Sequence, residues 1–161
     1  MDDRFTEGLT MATTLGAGVM AGLFFTFSVV IMKSLDKLPG TQGMAAMQNI
    51  NDLIVNPVFM FFFMGTAVAS VVLGGLAIFR IDGPERWWIL AGALLYLVGV
   101  LLLTGGYHVP RNDHLATIDV NSADAAKEWS TYIKEWVPMN HVRTLASIAS
   151  FGSFIVALRV G

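Results

Sequence analysis

Four long stretches of this chain carry no charged residue, and short polar segments separate them. The first runs from Leu9 to Met32, the second from Pro57 to Phe79, the third from Trp87 to about Tyr107, and the fourth from Thr144 to Leu158. A helix rises about 1.5 Å per residue, so roughly 20 apolar residues cross a bilayer core. The first three stretches meet that length. The fourth covers only about 23 Å of a core roughly 30 Å thick. It must therefore begin earlier, near Pro138, which puts Arg143 in its second turn at the hydrocarbon edge. The expected spans are 9–32, 57–79, 87–107 and 138–158, in a single membrane domain over residues 1–161. The first stretch is too long for a signal-peptide core and has no basic segment ahead of it, so it is read as a retained span after a short polar lead-in, Met1 to Gly8.

The segments between spans have patterns of their own. Pro39-Gly40 is a turn signal. After it, Met44, Met47, Ile50 and Ile54 recur at helical spacing, with Gln48, Asn51 and Asp52 on another side, which predicts a short amphipathic helix at the membrane surface. Asn56-Pro57 reads as the N-cap and first residue of the second span. Asp82-Gly83-Pro84 is a tight turn, and Trp87-Trp88 fits an interfacial anchor. Thr117 to Trp136 predicts a second surface helix, with Ser122 as its N-cap and Trp129, Ile133 and Trp136 on one face. The fold class is thus all-α: an integral membrane four-helix bundle with two short surface helices on the loop side. Four crossings put both termini on one side and all three histidines on the other. On the first span Thr10, Thr14, Gly18, Gly22 and Thr26 recur every fourth residue. Gly18 and Gly22 either pack within the bundle or form a homo-oligomer face, and Ala149, Ser153 and Ala157 on the fourth span offer a similar surface.

Composition agrees with a lipid environment. Of 161 residues 55% are hydrophobic and 14% charged, against about 25% charged in soluble domains, and the mean hydropathy is +0.63. A net charge of −2 argues against an electrostatic nucleic-acid partner. The absence of cysteine excludes disulfides, thiolate metal sites and Fe–S clusters. Arg80 and Arg86 share one short turn on the terminal side, so the termini are expected to be cytoplasmic, in a bacterial plasma membrane.

Chemistry-bearing residues concentrate in Tyr107 to His114 and in Trp136 to Arg143. Arg143 is the costly one, because a cation near a helix N-terminus opposes the helix dipole and its depth adds desolvation. Asn140, Arg143, Ser147 and Ser150 fall at i, i+3, i+7 and i+10, a polar stripe that must face the bundle interior or a wet cavity. Arg143 either clamps loop carbonyls or Asp113, or binds an oxyanion. His108 and His141 flank helix ends on one side, and a neutral imidazole there can act as a general base. A metal shared by His108 and His141 would need a third ligand from His114, Asp113 or Glu128, and no HxxxH or HxxE spacing supports it, so no cofactor is expected. Gln48, Asn51, Asn112 and Asn140 offer amides to a ligand carbonyl. The candidate catalytic residues are His108, His141 and Arg143. The candidate substrate-binding residues are Gln48, Asn51, Asn112, Trp136 and Asn140.

At these residues the chain resembles the anthrone oxygenase family of small four-helix membrane proteins. The likeness rests on Gln48-x-x-Asn51 after the first span, Pro110-x-Asn112 with Leu115 after the third, and Trp136 with Asn140-x-x-Arg143 at the fourth. It implies cofactor-free oxidation of an anthrone, or of a similar quinone-like aromatic, by dioxygen. It further implies an apolar slot, a base from His108 or His141, and oxyanion donors from Arg143, Asn112 and Asn140. The alternative is a non-catalytic lipid-binding or scaffolding subunit of a membrane complex. A transporter ranks last, because no acidic residue lies within a span.

Overall fold

The computed structural model describes residues 3–161, so Met1 and Asp2 of the polar lead-in lie outside the described residues. It contains α1 (Arg4–Asp36), α2 (Gln42–Ile54), α3 (Pro57–Phe79), α4 (Glu85–Ala116) and α5 (Ala125–Val160), and among the described residues no strand. All but α2 are long and apolar enough to cross a membrane. The protein is an all-α bundle of membrane type.

The four long helices form a ring. α1 packs on α3 and α5, and α4 packs on the same two. Successive spans alternate in direction, and Gly161 lies against Glu85 at the start of α4. The opposite end is closed by α2, which rests on the last turns of α4. Side chains such as Leu15, Phe61 and Phe79 point outward, where lipid is their solvent. Since lipid tails are as apolar as these residues, close packing rather than water exclusion must hold the ring together. Small residues allow that approach. A β-carbon on Gly16 would collide with Thr66, one on Gly99 with Ala146, and one on Gly92 would stand 3.0 Å from the Phe154 ring.

Two apolar clusters fill the interior. One includes Met20, Phe24, Phe63, Tyr96 and Phe154; the other, at the loop end, joins Phe27, Met47, Leu115, Trp129, Tyr132 and Trp136. Trp129, Tyr132 and Trp136 form a stacked ladder on the buried face of α5, with Ile133 only half-buried beside it. Asn56 caps α3 as its sequence predicts, its Oδ1 accepting from the Val58 and Phe59 amides at 3.1 Å. Gly40 makes the turn between α1 and α2 with φ +60°, a conformation glycine adopts freely.

The main departure from the expected spans is at the loop end. The second surface helix does not exist as a separate element. It is the first part of α5, which runs unbroken through Pro138, and Ser122 does not cap it. Proline in a helix interior removes one hydrogen bond and crowds the preceding turn, at about 3 kcal/mol. Here the buried residues on either side, Trp136 and Asn140, anchor both flanks to the bundle and offset that cost. Similarly, α4 does not end near Tyr107. Gly105 and Gly106 are absorbed into a π-helical segment, Thr104–His108, and the helix continues to Ala116. The every-fourth stripe on α1 also divides. Positions four apart advance about 40° around a helix per step, so Thr10 and Thr14 are buried, a β-carbon on Gly18 would stand 3.0 Å from the Phe151 ring, and Gly22 and Thr26 face outward.

Candidate functional site

Helical irregularities fall between the middle of the bundle and its loop end. α1 has a π-helical turn at Phe27–Ile31, α4 has two such segments, Leu97–Leu102 and Thr104–His108, and α5 has Pro138. π-Turns re-aim side chains and are frequent at functional sites. The polar stripe of α5 faces inward here, with Asn140 0% and Arg143 6% exposed.

Asn140 and Arg143 tie three spans together. The Asn140 amide nitrogen donates to the Phe24 carbonyl at 3.0 Å and to Ser28 Oγ at 2.8 Å, both on α1. Its Oδ1 accepts from Arg143 Nε at 3.1 Å and Nη2 at 2.6 Å. Arg143 Nη1 donates to Thr104 Oγ1 on α4 at 3.1 Å. The guanidinium stacks over Phe24 at 4.0 Å and approaches Trp136 at 5.4 Å. Among the described residues no carboxylate lies within ion-pair distance of it. Asp113 is therefore not its clamp. The clamp is the amide of Asn140 with the hydroxyl of Thr104. Of five guanidinium N–H groups, these contacts engage one on Nε, one on Nη2 and one on Nη1, leaving two.

Arg143 lines a cavity of about 360 Å³, within the roughly 300–1,000 Å³ range of small-molecule sites. Aromatic and aliphatic side chains dominate its wall, among them Phe24, Phe27, Phe59 and Phe63. Asn112 joins the wall from α4. Its Oδ1 accepts from Tyr132 Oη at 2.8 Å and from Trp136 Nε1 at 3.0 Å. An indole N–H can only donate, so the carboxamide oxygen must face Trp136 and the amide nitrogen is left for the cavity. His108, 1% exposed, lines the same wall, edge-on to Trp136 with ring centroids 4.9 Å apart. Neither of its ring nitrogens has a partner in hydrogen-bond geometry, although the Met139 backbone is nearby. Asn51, beside Tyr132, lines the cavity from α2, and its buried amide nitrogen is likewise without a partner.

The structure thus brings Asn51, His108, Asn112, Trp136 and Arg143 to one cavity, with Asn140 directly behind Arg143. Two expected residues are not brought in. Gln48 donates to the carbonyls of Leu115 at 2.8 Å and Ile118 at 2.9 Å and so fastens α2 to the end of α4. His141 is on the exposed face of α5, outside the cavity. Among the described residues no three His, Asp or Glu side chains gather into a possible metal site. Three contributors were not singled out from sequence. Thr104 and Ser28 act through contacts between distant spans and leave no local signal. Tyr132 had one: with Trp129 and Trp136 it stands at i, i+3 and i+7.

A family model described as anthrone oxygenase matches residues 59–153, which include His108, Asn112, Trp136, Asn140 and Arg143. No curated protein and no solved structure matches the chain.

Proposed function

The chain belongs to the anthrone oxygenase family, and on that premise we propose that it oxidises the central methylene of an anthrone-like tricyclic ketone with dioxygen, inside the membrane. The observation that carries this reading is the cavity's electrostatics. A buried cation without a carboxylate, Arg143, stands in an aromatic wall beside an unpartnered imidazole, His108.

Removing a proton from the methylene gives an aromatic phenolate, an anion stabilised by donors aimed at its oxygen. Arg143, through its two remaining N–H groups, and the Asn112 amide are those donors. His108 takes the proton. The electron-rich carbon then bonds to dioxygen, and protonation of the distal oxygen gives a hydroperoxide. Loss of the second methylene proton with O–O cleavage leaves a carbonyl. The other oxygen atom departs as water, so one ketone and one O₂ give one quinone and one H₂O. Trp136 and the phenylalanines hold the rings flat and keep bulk water away.

The test is oxygen uptake and quinone absorbance when a hydroxylated anthrone is added to membranes containing the protein. A rate at least tenfold above the spontaneous one, lost in Arg143→Gln, supports the proposal; no acceleration overturns it. Binding without turnover instead favours a non-catalytic lipid-binding or scaffolding role.

A further inference from the structure

The cavity is not closed on all sides, and where it opens bears on what reaches it. Its roof is α2, which contributes Met47, Ile50 and Ile54 and is pinned over the site by Gln48. One side is α5. On another side α3 and α4 pack together as far as the π-helical segment Leu97–Leu102, and beyond it they have no extended contact. Gly105 and Gly106, in the stretch of α4 that follows, are exposed, and nothing lies within 4 Å of where their β-carbons would stand. The edges of this gap are Met60 on α3 and Val109 on α4. Both line the cavity and both are exposed, Val109 by 43%.

The depth of the gap follows from α3. Its 23 uncharged residues span about 34 Å, little more than the roughly 30 Å hydrocarbon core. Met60, in the first turn, is therefore at the hydrocarbon edge. The neighbouring outward residues are apolar too: Val58 and Phe61, the latter 72% exposed. On the loop side of the gap the rim changes character, with Asp52 and Asp113 both exposed. Anions approaching from water meet these carboxylates first, whereas an uncharged molecule dissolved in lipid meets only Met60, Val109 and the phenylalanines.

We infer that the gap between α3 and α4 is a lateral portal through which an uncharged, membrane-dissolved aromatic ligand passes from the bilayer to Arg143, becoming an anion only inside. This rests on the proposed function for the ligand's chemistry, while the portal is a statement about the protein's own geometry. The cysteine-free sequence makes it directly testable in lipid vesicles. Single variants Met60→Cys, Val109→Cys and, on the aqueous rim, Ala116→Cys are treated with a membrane-impermeant charged thiol reagent and with a lipid-soluble maleimide. The lipid-soluble reagent is expected to label positions 60 and 109 at least tenfold faster than the charged one, with the reverse at 116. Fast labelling of 60 and 109 by the charged reagent overturns the portal whatever the enzyme does. In a second arm, tryptophan quenching by a hydroxyanthraquinone follows ligand arrival. A bulky maleimide at 109 is expected to slow association at least tenfold, and the same label at 116 to leave it unchanged. The opposite pattern places the route through water. If the cysteine variants show the labelling pattern but the wild-type protein does not bind the quinone, the portal stands and the proposed function fails.

Discussion

Asn140 and Arg143 face each other one turn apart on α5, and the single carboxamide oxygen of Asn140 accepts from both Nε and Nη2 of Arg143 while its nitrogen holds α1. The amide thus aims the guanidinium without neutralising it. Asn140→Asp tests this. A carboxylate there would pair with Arg143 and cancel the charge offered to a ligand, and it could no longer donate to Phe24 and Ser28. Anthrone oxidation is expected to fall at least tenfold. Thermal unfolding in detergent should show a loss of about 1–3 kcal/mol, the usual effect of stranding a buried partner. Full activity in Asn140→Asp would show that the free positive charge is unnecessary.

Arg143→Lys separates charge from geometry. Lysine keeps the cation but lacks the planar fork that meets Asn140 and Thr104 together. Turnover of Arg143→Lys is expected to stay near the low rate of Arg143→Gln. Recovery above half of wild-type turnover would reduce the role of Arg143 to that of a point charge.

The two histidines give a contrast. His108→Phe keeps a ring against Trp136 but removes the base, so the protein should fold while oxidation slows by roughly 10²–10⁴-fold. His141→Ala should change neither folding nor rate, because that side chain is on the exposed face. Equal losses in the two variants would remove His108 from the mechanism.

The same helical phase explains how far the site was legible in the sequence. Apolar runs revealed the spans because lipid tolerates few charges. The spacing of Asn140, Arg143, Ser147 and Ser150 revealed which face of α5 turns inward, and all four are buried. That phase already places His141 about 100° from Asn140, off the stripe, so sequence alone contained a reason to set it aside. Pro138 obscured the continuity of α5, since its local propensity favours a break that tertiary packing overrides. Thr104 and Ser28 were not legible, because their roles depend on how α4 and α1 meet α5.

Gln48 should behave as a latch and not as a ligand residue. Gln48→Leu removes two hydrogen bonds to Leu115 and Ile118, each worth about 1 kcal/mol. Amide exchange across α2 is expected to speed up about tenfold or more, with little change in the spans. Unchanged protection of α2 would mean that its apolar contacts alone hold the roof.

Close packing of α4 on α5 rests on Gly99, where a β-carbon would overlap that of Ala146. Gly99→Ala is expected to push the helices apart and cost about 1–3 kcal/mol, as overpacking does elsewhere. The space it needs is one methyl group, and Ala146→Gly supplies it. The double variant Gly99→Ala/Ala146→Gly should therefore recover most of the stability lost by the first change, a coupling readable in thermal unfolding. Gly22→Ala is the control: it faces outward, and nothing stands within 4 Å of its added carbon, so the bundle should be indifferent to it. Additive losses in the double variant would show that Gly99 matters for the π-helical backbone of α4 and not for its approach to α5.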